Sequence, residues 1–454
     1  MDIILLAESA VKDAISKGCD EAEVFIKTAK RLSVEVKNNG VEALNSAKDF
    51  GISLRVIKKH RLGFSFTTNP AELEDMVKEA VEGAKWTAED EYIEVPNPLL
   101  PPSDVLIFDE KIKNIKEDDI INNALFLEKA ALDFDSRIKK VRKAEVSIAE
   151  GSTTIFNSKG IKVSYDSSSI TASVTTLADD GHDMQTGWDF AVSRRLSDIN
   201  FSSIAAAASK KAIDLLGSRK ITSVKVPVIL DSSVASDFLG IFSSSLSAEA
   251  VQKKRSFLAN KIGKNIISPI VNIFDDGLMP WRIGTKPVDD EGVPTSKKMI
   301  VSKGTLTGFI HNTYTAKKEG TVSTGNAVRG DFKSLPGVGV TNLYIEPKIR
   351  HQTSDFRQQT EIQNDNLIKS LSKGILVLEA MGVHTANPIS GNFSVGISGL
   401  WIENGEIKYP VKEAVISGNV LELFKRIERV GSDLKFYGKI GSPSLLIGEM
   451  DISA

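Results

Sequence analysis

The side chains that build disulfides and metal sites are scarce in this sequence. Its 454 residues include one cysteine, Cys19, and five histidines. The histidines are His60, His182, His311, His351 and His384. One cysteine cannot form an intramolecular disulfide or a cysteine-based zinc cluster. The histidines lie far apart in sequence, and none is followed by the glutamate of an H-E-x-x-H zinc helix. We therefore expect a protein of the reducing cytoplasm without a locally encoded metal site.

An excess of one charge and long apolar runs are absent as well. Lys and Arg total 57, Asp and Glu total 59, and the formal net charge is −2. Nothing global therefore marks a binder of nucleic acids or anionic membranes. No apolar run approaches the ~20 residues of a membrane helix. The N-terminal apolar run stops at Glu8, which is too early for a signal peptide. A soluble cytoplasmic protein is expected.

Several motifs of common enzyme classes are missing too. There is no phosphate-binding G-x-x-x-x-G-K-[ST] loop, and the glycines at residues 337–340 lack the third glycine of a dinucleotide fingerprint. No serine lies in a G-x-S-x-G turn. The acidic cluster Asp289, Asp290 and Glu291 before Gly292 has oxygen ligands for a hard cation. A turn whose carboxylates accept backbone N–H groups explains the same cluster equally well.

The patterns that are present predict an α+β protein in three parts. Residues 1–95 form a helix, meander, helix module, with helices at residues 2–17 and from Asn69 to about Trp86. Tight turns are expected at Asn39-Gly40 and at residues 58–60. Four prolines within residues 95–102 then indicate an extended linker.

The two remaining parts follow this linker. Residues 96–223 are a mixed α/β unit, with a helix at residues 118–133, five short strands and an Ala-rich helix at residues 203–216. Residues 224–454 are a β-dominated domain. It begins with a buried strand at residues 224–230 and a long helix that starts at Asp231 and runs to about Leu258. Another helix is expected at residues 420–430.

Seven segments of the C-terminal part together resemble the PmbA/TldD proteins, specifically the PmbA (TldE) branch. They are VKVPVILD (residues 224–231), LSAEAVQKKRSFL (246–258), VDDEGVP (288–294), TYTAKKEGTVSTGN (313–326), TNLYIEP (341–347), GNFSVGISGLWIENGEIKYP (391–410) and GSPSLLI (441–447). The N-terminal half is similar more weakly, through residues 22–36, 51–56 and 183–192.

The resemblance implies a two-subunit cytoplasmic protease. In that family the TldD chain carries zinc on an H-E-x-x-x-H helix with a further cysteine ligand, and the PmbA-type chain is the partner without this motif. The matching helix here is residues 239–251, where the two histidines and the glutamate correspond to Leu239, Ser244 and Gly240. Leucine and glycine have no ligating atom, and a neutral serine hydroxyl is a poor zinc ligand. No cofactor is therefore expected in this chain, and zinc is expected in the TldD-like partner.

The function implied is that of a non-catalytic subunit, homodimeric alone and heteromeric with a TldD-like zinc subunit. Such a subunit would complete a substrate chamber, with an extended peptide held by β-augmentation at a strand edge. The candidate lining residues from the matching segments are Asp290, Glu291, Asn326, Thr341 and Asn342. The two acids could bind a substrate amine and the other three a peptide backbone. Both asparagines are also typical of turns and caps.

Two other functions stay open. The chain could be a self-sufficient metallopeptidase that gathers a metal from Asp289, Asp290, Glu291 and a distant histidine. It could also be a DNA-gyrase modulator, the role attached to the family's older name, with the five basic residues at 137–143 as its footprint. These residues contain no aromatic, so we favour a solvated strand edge, where Lys and Arg block aggregation, and do not expect nucleic-acid binding.

Overall fold

The computed structural model describes residues 2–98, 100–348 and 366–453. It confirms an α+β protein, with one large antiparallel sheet in the N-terminal half and a strand-rich C-terminal half. Within these ranges no helix is long and apolar enough to cross a membrane. His351 lies outside the described residues.

Six strands form the N-terminal sheet, in the order β3-β2-β1-β4-β5-β6. They are β1 (Glu21–Lys37), β2 (Gly40–Lys58), β3 (Arg61–Thr67), β4 (Ile138–Asn157), β5 (Lys162–Asp179) and β6 (Met184–Ser193). The five short strands predicted for residues 96–223 are three longer strands, β4 to β6. The sheet also joins β1 to β4 across the Pro-rich segment, so strands of the first two predicted parts share one sheet. The exact boundaries of the three parts stay a prediction.

Four helices cover one face of this sheet. They are α1 (Ile3–Ser16), α2 (Leu73–Gly83), α3 (Glu117–Leu132) and α4 (Phe201–Asp214). Alternate residues of β1, such as Val24, Ile26 and Val34, point toward these helices and are fully buried. This is the period of two that a half-buried strand requires. The opposite face, which carries Glu23 and Phe25, is turned toward the C-terminal half.

The turns between the first strands differ in one detail from the prediction. In the β1–β2 turn the residues with positive φ are Asn38 (φ 54°) and Asn39 (φ 59°), whereas Gly40 begins β2. Asparagine tolerates the left-handed region, so the glycine is not needed in the turn itself. The turn at residues 58–60 is as predicted, with positive φ at Lys59 and His60.

In the described part of the C-terminal half, the strands form two further six-stranded sheets and a two-stranded one. The first has the order β16-β15-β14-β7-β20-β17, and the second β10-β9-β8-β13-β19-β18. Its strands are β7 (Val224–Leu230), β8 (Ile273–Asp276), β9 (Lys297–Ser302), β10 (Thr305–Leu306), β11 (Ala327–Val328), β12 (Gly337–Val338), β13 (Leu343–Ile345), β14 (Lys373–Met381), β15 (Asn392–Glu403), β16 (Glu406–Asn419), β17 (Ile427–Val430), β18 (Lys435–Tyr437), β19 (Ile440–Ser442) and β20 (Leu445–Ser453). An additional pairing of β16 with β20 closes five strands of the first sheet into a ring.

The described residues of this half include the helices α5 (Ser232–Ser244), α6 (Ala248–Gln252), α7 (Thr313–Glu319) and α8 (Val420–Lys425), and residues 366–369 are helical as well. The long helix predicted from Asp231 to about Leu258 is wrong, because it ends at Ser244. Ser245 and Ser247 interrupt it. The hydroxyl of Ser245 donates to the carbonyl of Pro388 (3.3 Å), and Ser247 caps the short α6. Serines compete with the helical backbone in this way.

The predicted helix at residues 420–430 is also too long. Asn419 caps it, accepting a hydrogen bond from the backbone N–H of Leu421 (3.0 Å). It ends at Lys425, however, and Ile427–Val430 becomes β17, which pairs with β20. Pairing with a neighbouring strand overrides the helical periodicity of this apolar segment.

Candidate functional site

Around residues 23–25, 51–55 and 155, the face of the N-terminal sheet without helices is covered by loops of the C-terminal half. Phe25 and Ile155 form an apolar cluster with Val288 of that half. The ring of Phe332 lies directly over Gly51, where a Cβ atom would be 2.2 Å from the ring. A glycine is required at this position because the aromatic ring occupies the space of any side chain. The junction between the two halves is therefore a packed interior.

Buried charges cross this junction. Arg55 of β2 donates to Glu23 of β1 (2.8 Å) and to Glu291 of the C-terminal half (3.1 Å). Arg329 donates to the second oxygen of Glu23 (2.6 Å). The carboxylate of Glu291 also accepts the backbone N–H of Thr313 (2.8 Å). All four side chains are almost fully shielded from solvent. Because burying an unpaired charge is costly, these pairs fix how the halves meet.

Asp290 connects this network to a lysine. Its carboxylate binds the ammonium of Lys286 (2.5 Å) and accepts the backbone N–H of Arg329 (2.8 Å). Burial opposes ionisation, but the charges and hydrogen bonds of Lys286 and Arg329 hold the pKa of Asp290 below its usual value. Asp290 is therefore ionised, and its carboxylate is already bound by Lys286 and by the backbone of Arg329.

The carboxylate of the neighbouring Asp289 binds backbone N–H groups of nearby loops. It accepts N–H groups from Glu291 (3.0 Å), Val293 (3.0 Å) and Ala327 (2.9 Å). Burial and the nearby charge of Glu291 raise the pKa of Asp289, while the three N–H groups oppose this rise. Its contacts match the turn-forming role considered for the acidic cluster.

The other three predicted site residues lie in a second buried network nearby. Asn326 donates to Asp275 (2.8 Å), and both the N–H and the hydroxyl of Thr341 donate to the other oxygen of that carboxylate (2.6 and 2.9 Å). Asn342 accepts the backbone N–H of Gly284 (2.9 Å) and donates to the carbonyl of Asp276 (2.7 Å). These contacts hold the loops around residues 284 and 326 against β8 and β13.

The structure therefore gathers all five predicted site residues near one junction, but it buries them. Asp290 and Thr341 are 4% and 6% exposed, and Glu291, Asn326 and Asn342 are fully buried. Their polar atoms are engaged by partners within the protein. Their direct contact with a substrate stays a prediction.

Sequence reasoning missed Glu23, Arg55 and Arg329. The first two lie on strands that were predicted, on the face opposite the one that packs against the helices. A signal existed: an acid and an arginine face outward on strands whose other face is apolar. Nothing in the local sequence shows that a distant part of the chain covers that face.

The positions aligned with a zinc helix lie on α5 and do not fit the ion. Leu239 is fully buried in the apolar core of the C-terminal half. Gly240 has no side chain, and a Cβ there would meet no atom within 4 Å. The hydroxyl of Ser244 donates to the carbonyl of Ile241 (2.8 Å). Across residues 2–98, 100–348 and 366–453, no three His, Cys, Asp or Glu side chains are grouped as metal ligands.

The basic cluster at residues 137–143 lies where β4 extends beyond β1 and pairs only with β5. Arg137 binds Asp135 (2.8 Å), and Lys143 binds Glu145 (2.8 Å) and Glu35 (3.3 Å). Lys139, Lys140 and Arg142 are exposed. This is the solvated strand edge that was favoured.

Comparison with protein families now identifies the chain. The model of the PmbA/TldA metallopeptidase C-terminal domain matches residues 223–454, that of domain 1 matches residues 22–84, and that of the central domain matches residues 110–216. The chain belongs to the PmbA/TldD family. The three matches include the junction residues described above on both sides.

Relatives within the PmbA/TldD family agree with this. A metalloprotease PmbA homolog of Buchnera aphidicola is 30% identical over 95% of this chain and 92% of its own length. Metalloprotease PmbA of Escherichia coli O157:H7 is 28% identical over 99% of this chain and 96% of its own. These names support a peptidase-related role at the level of the family.

Solved structures share the whole fold. A Thermotoga maritima protein named for modulation of DNA gyrase superposes with a TM-score of 0.90 at 27% identity, covering 99% of both chains. TldE from Thermococcus kodakarensis superposes with a TM-score of 0.88 over 99% of this chain and 100% of its own. At 23% identity, TldE shows the shared fold alone.

Proposed function

We propose that this chain is the non-catalytic, PmbA/TldE-like subunit of a cytoplasmic zinc metalloprotease that degrades or processes unfolded peptides. A TldD-like partner would carry the zinc, and this chain would complete the substrate chamber. Alone, it would form a homodimer. The names of its metalloprotease relatives support the peptidase part of this proposal.

One observation carries the subunit part. At the three positions aligned with the zinc motif, α5 has a core leucine, a glycine and a serine whose hydroxyl donates to its own helix. The family's remaining ligand, a cysteine near the C-terminus, has no counterpart, because the single cysteine is Cys19. The helix that would hold the metal is thus kept as a packing element.

The five candidate site residues support this role indirectly. Asp290, Glu291, Asn326, Thr341 and Asn342 would shape the chamber by fixing its loops, while an extended peptide pairs with a strand edge. Within the described residues, β3 and β6 are the outer strands of the N-terminal sheet. Either could accept a peptide strand.

Co-expression tests the proposal. This chain should co-purify with a TldD-like paralogue from the same source that contains H-E-x-x-x-H, and the complex should cleave unfolded casein. Mutation of the paralogue's metal helix should abolish cleavage. If the two chains never co-purify, the subunit role is wrong.

The purified chain alone is the control. We expect no stoichiometric metal and no casein cleavage without the partner. Stoichiometric metal together with cleavage would instead establish the self-sufficient metallopeptidase and overturn the proposal.

A further inference from the structure

One edge of the N-terminal sheet is unpaired over much of its length. Strand β2 is Gly40–Lys58, but β3 pairs only with its residues 52–58. In the described part of the chain, β1 is the only strand that pairs with residues 40–51 of β2. Residues 44–49 are all exposed. At about 3.4 Å per residue, residues 43–51 present a free strand edge roughly 27 Å long.

The turn between β2 and β3 shows which backbone groups face this edge. The turn consists of Lys59 and His60, both with positive φ. Lys58 and Arg61, which flank it, therefore exchange both of their backbone hydrogen bonds. The register continues without a shift to residues 52 and 67, and hydrogen-bonded pairs alternate with pairs that are not. Even-numbered residues of β2 thus direct their N–H and C=O groups away from β1.

The same alternation extends along the free edge, because β1 and β2 stay in register from residue 57 to residue 43. The residues whose N–H and C=O groups point outward, where β3 has ended, are Leu44, Ser46, Lys48 and Phe50. The residues between them bond to β1. Within the described residues, the outward groups are given no backbone partner.

Few of the usual protections of a strand edge are found here. Edges are normally blunted by proline, bulges, charges or a covering element. Residues 40–58 contain no proline, and the bulge, at residue 42, lies at one end of the free edge. The charges of Lys48 and Asp49 cancel, and Leu44 is 37% exposed. An edge of this kind is a template for another strand.

A second copy of the same chain is the partner that leaves no β2 edge unpaired. Two-fold symmetry places the β2 edges of two copies antiparallel, so that the outward N–H and C=O groups of each meet those of the other. Pairing with a different edge of another copy would leave one β2 edge open and continue from chain to chain. The net charge of residues 43–51 is zero, so the two copies do not repel each other there.

We propose that two copies of this chain pair through the free edges of β2, residues 43–51. The pairing joins their two six-stranded N-terminal sheets into one continuous sheet. This inference deepens the proposed function, because it gives the homodimer expected there its interface.

Sedimentation and hydrogen exchange of the full-length chain test the interface. We expect a dimer by analytical ultracentrifugation. Amide exchange resolved to single residues should be as slow at Leu44, Ser46 and Lys48 as at Asn45 and Ala47, whose N–H groups bond to β1. A wild-type chain that stays monomeric at every concentration overturns the proposal. A dimer in which residues 44, 46 and 48 still exchange much faster than residues 45 and 47 overturns it as well.

Variants of the edge locate the contact. Ser46→Pro removes one outward N–H from each copy and should raise the dimer dissociation constant about tenfold or more. Ser46→Ala keeps this N–H and is the matched control, which should dimerise like the wild type. Leu44→Lys keeps the backbone but adds a positive charge to both copies, so it should also weaken the dimer, and it decides the test if the proline variant does not fold. Unchanged dimerisation in Leu44→Lys and in a folded Ser46→Pro overturns the interface.

Unfolded casein is the probe for a different partner. If the wild type is monomeric and exchange at residues 44, 46 and 48 slows only when casein is added, the edge binds peptide and the second-copy proposal is wrong. Homodimerisation is measured without a zinc subunit, so the two proposals can fail separately. A chain that pairs through β2 but never co-purifies with a TldD-like paralogue keeps this interface and loses the subunit role.

Discussion

Arg55 shows what one buried charge requires in this molecule. Its two terminal nitrogens meet Glu23 and Glu291, and its Nε atom has no partner among the described residues. Burial alone would lower the pKa of Arg55, but the two carboxylates raise it above its usual value. The residue is a fixed cation on which two acids from different halves of the chain depend.

Removal of this cation should therefore strongly destabilise the folded protein. We expect Arg55→Met to lower the free energy of unfolding by about 3–5 kcal/mol, because two buried carboxylates lose a partner. Urea denaturation measures the change. The matched control is Lys30→Met, whose pair with Glu150 joins the same sheet at 3.4 Å but is largely exposed; it should cost less than about 1 kcal/mol. Similar losses in both variants would contradict the role given to the junction.

Lys439 gives a pH dependence with a definite sign. Its folded pKa is about 8, below the value of about 10.4 for lysine in an unfolded chain. Between these values the unfolded state binds more protons, so this group makes the protein more stable as pH rises. Relative to Lys439→Gln, the wild type should gain stability from about pH 8 to about pH 10. Urea denaturation across this range measures it, and a constant difference would contradict the shift.

Among the secondary-structure elements, Gly187 and Gly240 differ in whether the packing around them requires a glycine. Gly187 of β6 lies under α4, where a Cβ would be 2.2 Å from the carbonyl oxygen of Ala208 and 2.5 Å from the nitrogen of Ala212. Gly240 lies inside α5, where a Cβ would meet no atom within 4 Å. Glycine is required at position 187 because the backbone of α4 comes too close for a side chain. At position 240 the surrounding packing does not require glycine.

Alanine at these two positions should act in opposite directions. Gly187→Ala forces α4 away from the sheet and should lower the free energy of unfolding by about 1–3 kcal/mol. Gly240→Ala should raise it by up to about 1 kcal/mol, since glycine is a poor helix former. Thermal and urea unfolding measure both. A loss of stability in Gly240→Ala would contradict this prediction, because it would show that a methyl group is not tolerated at this position.

Elements with strong local signals were predictable from the sequence. The cap at Asn69 and the strand at residues 224–230 agree with the structure, because a capping side chain and a buried β-branched run act locally. The failures were in α5, which serines interrupt, and in residues 427–430, which pair with β20. Those outcomes depend on Pro388 and on β20, which lie outside the segments whose periodicity predicted the helices.

On the scale of the whole molecule, the same limit applies to the candidate site. The matching segments pointed to residues that do meet at one junction. Glu291 is buried there against Arg55 of the N-terminal sheet, whereas Asn326, Thr341 and Asn342 bind Asp275 and Asp276 within the C-terminal half. Alternation along a strand shows that two faces differ, not what covers the second one. The buried network of Glu23, Arg55 and Arg329 could not be predicted for this reason.

The junction should make the two halves unfold together. Arg329 reaches Glu23 across it. We expect one calorimetric transition for the wild type and a transition at lower temperature for Arg329→Gln, because one charged tie between the sheet and the C-terminal half is lost while that of Arg55 to Glu291 remains. Arg426→Gln is the control, since Arg426 donates to the carbonyl of Glu449 within the C-terminal half. Two transitions in the wild type would contradict a coupled junction.

The pairing of β7 with β20 has a consequence for how the chain is made. Strand β7 opens the C-terminal half, yet its antiparallel neighbour is the last strand, from Leu445 to Ser453. During synthesis the N-terminal sheet can form while β7 still lacks that neighbour and shows an unpaired apolar edge. Such an edge is open to aggregation until β20 has been made and has left the ribosome. Nascent chains stalled before β20 should therefore be the ones that chaperones retain.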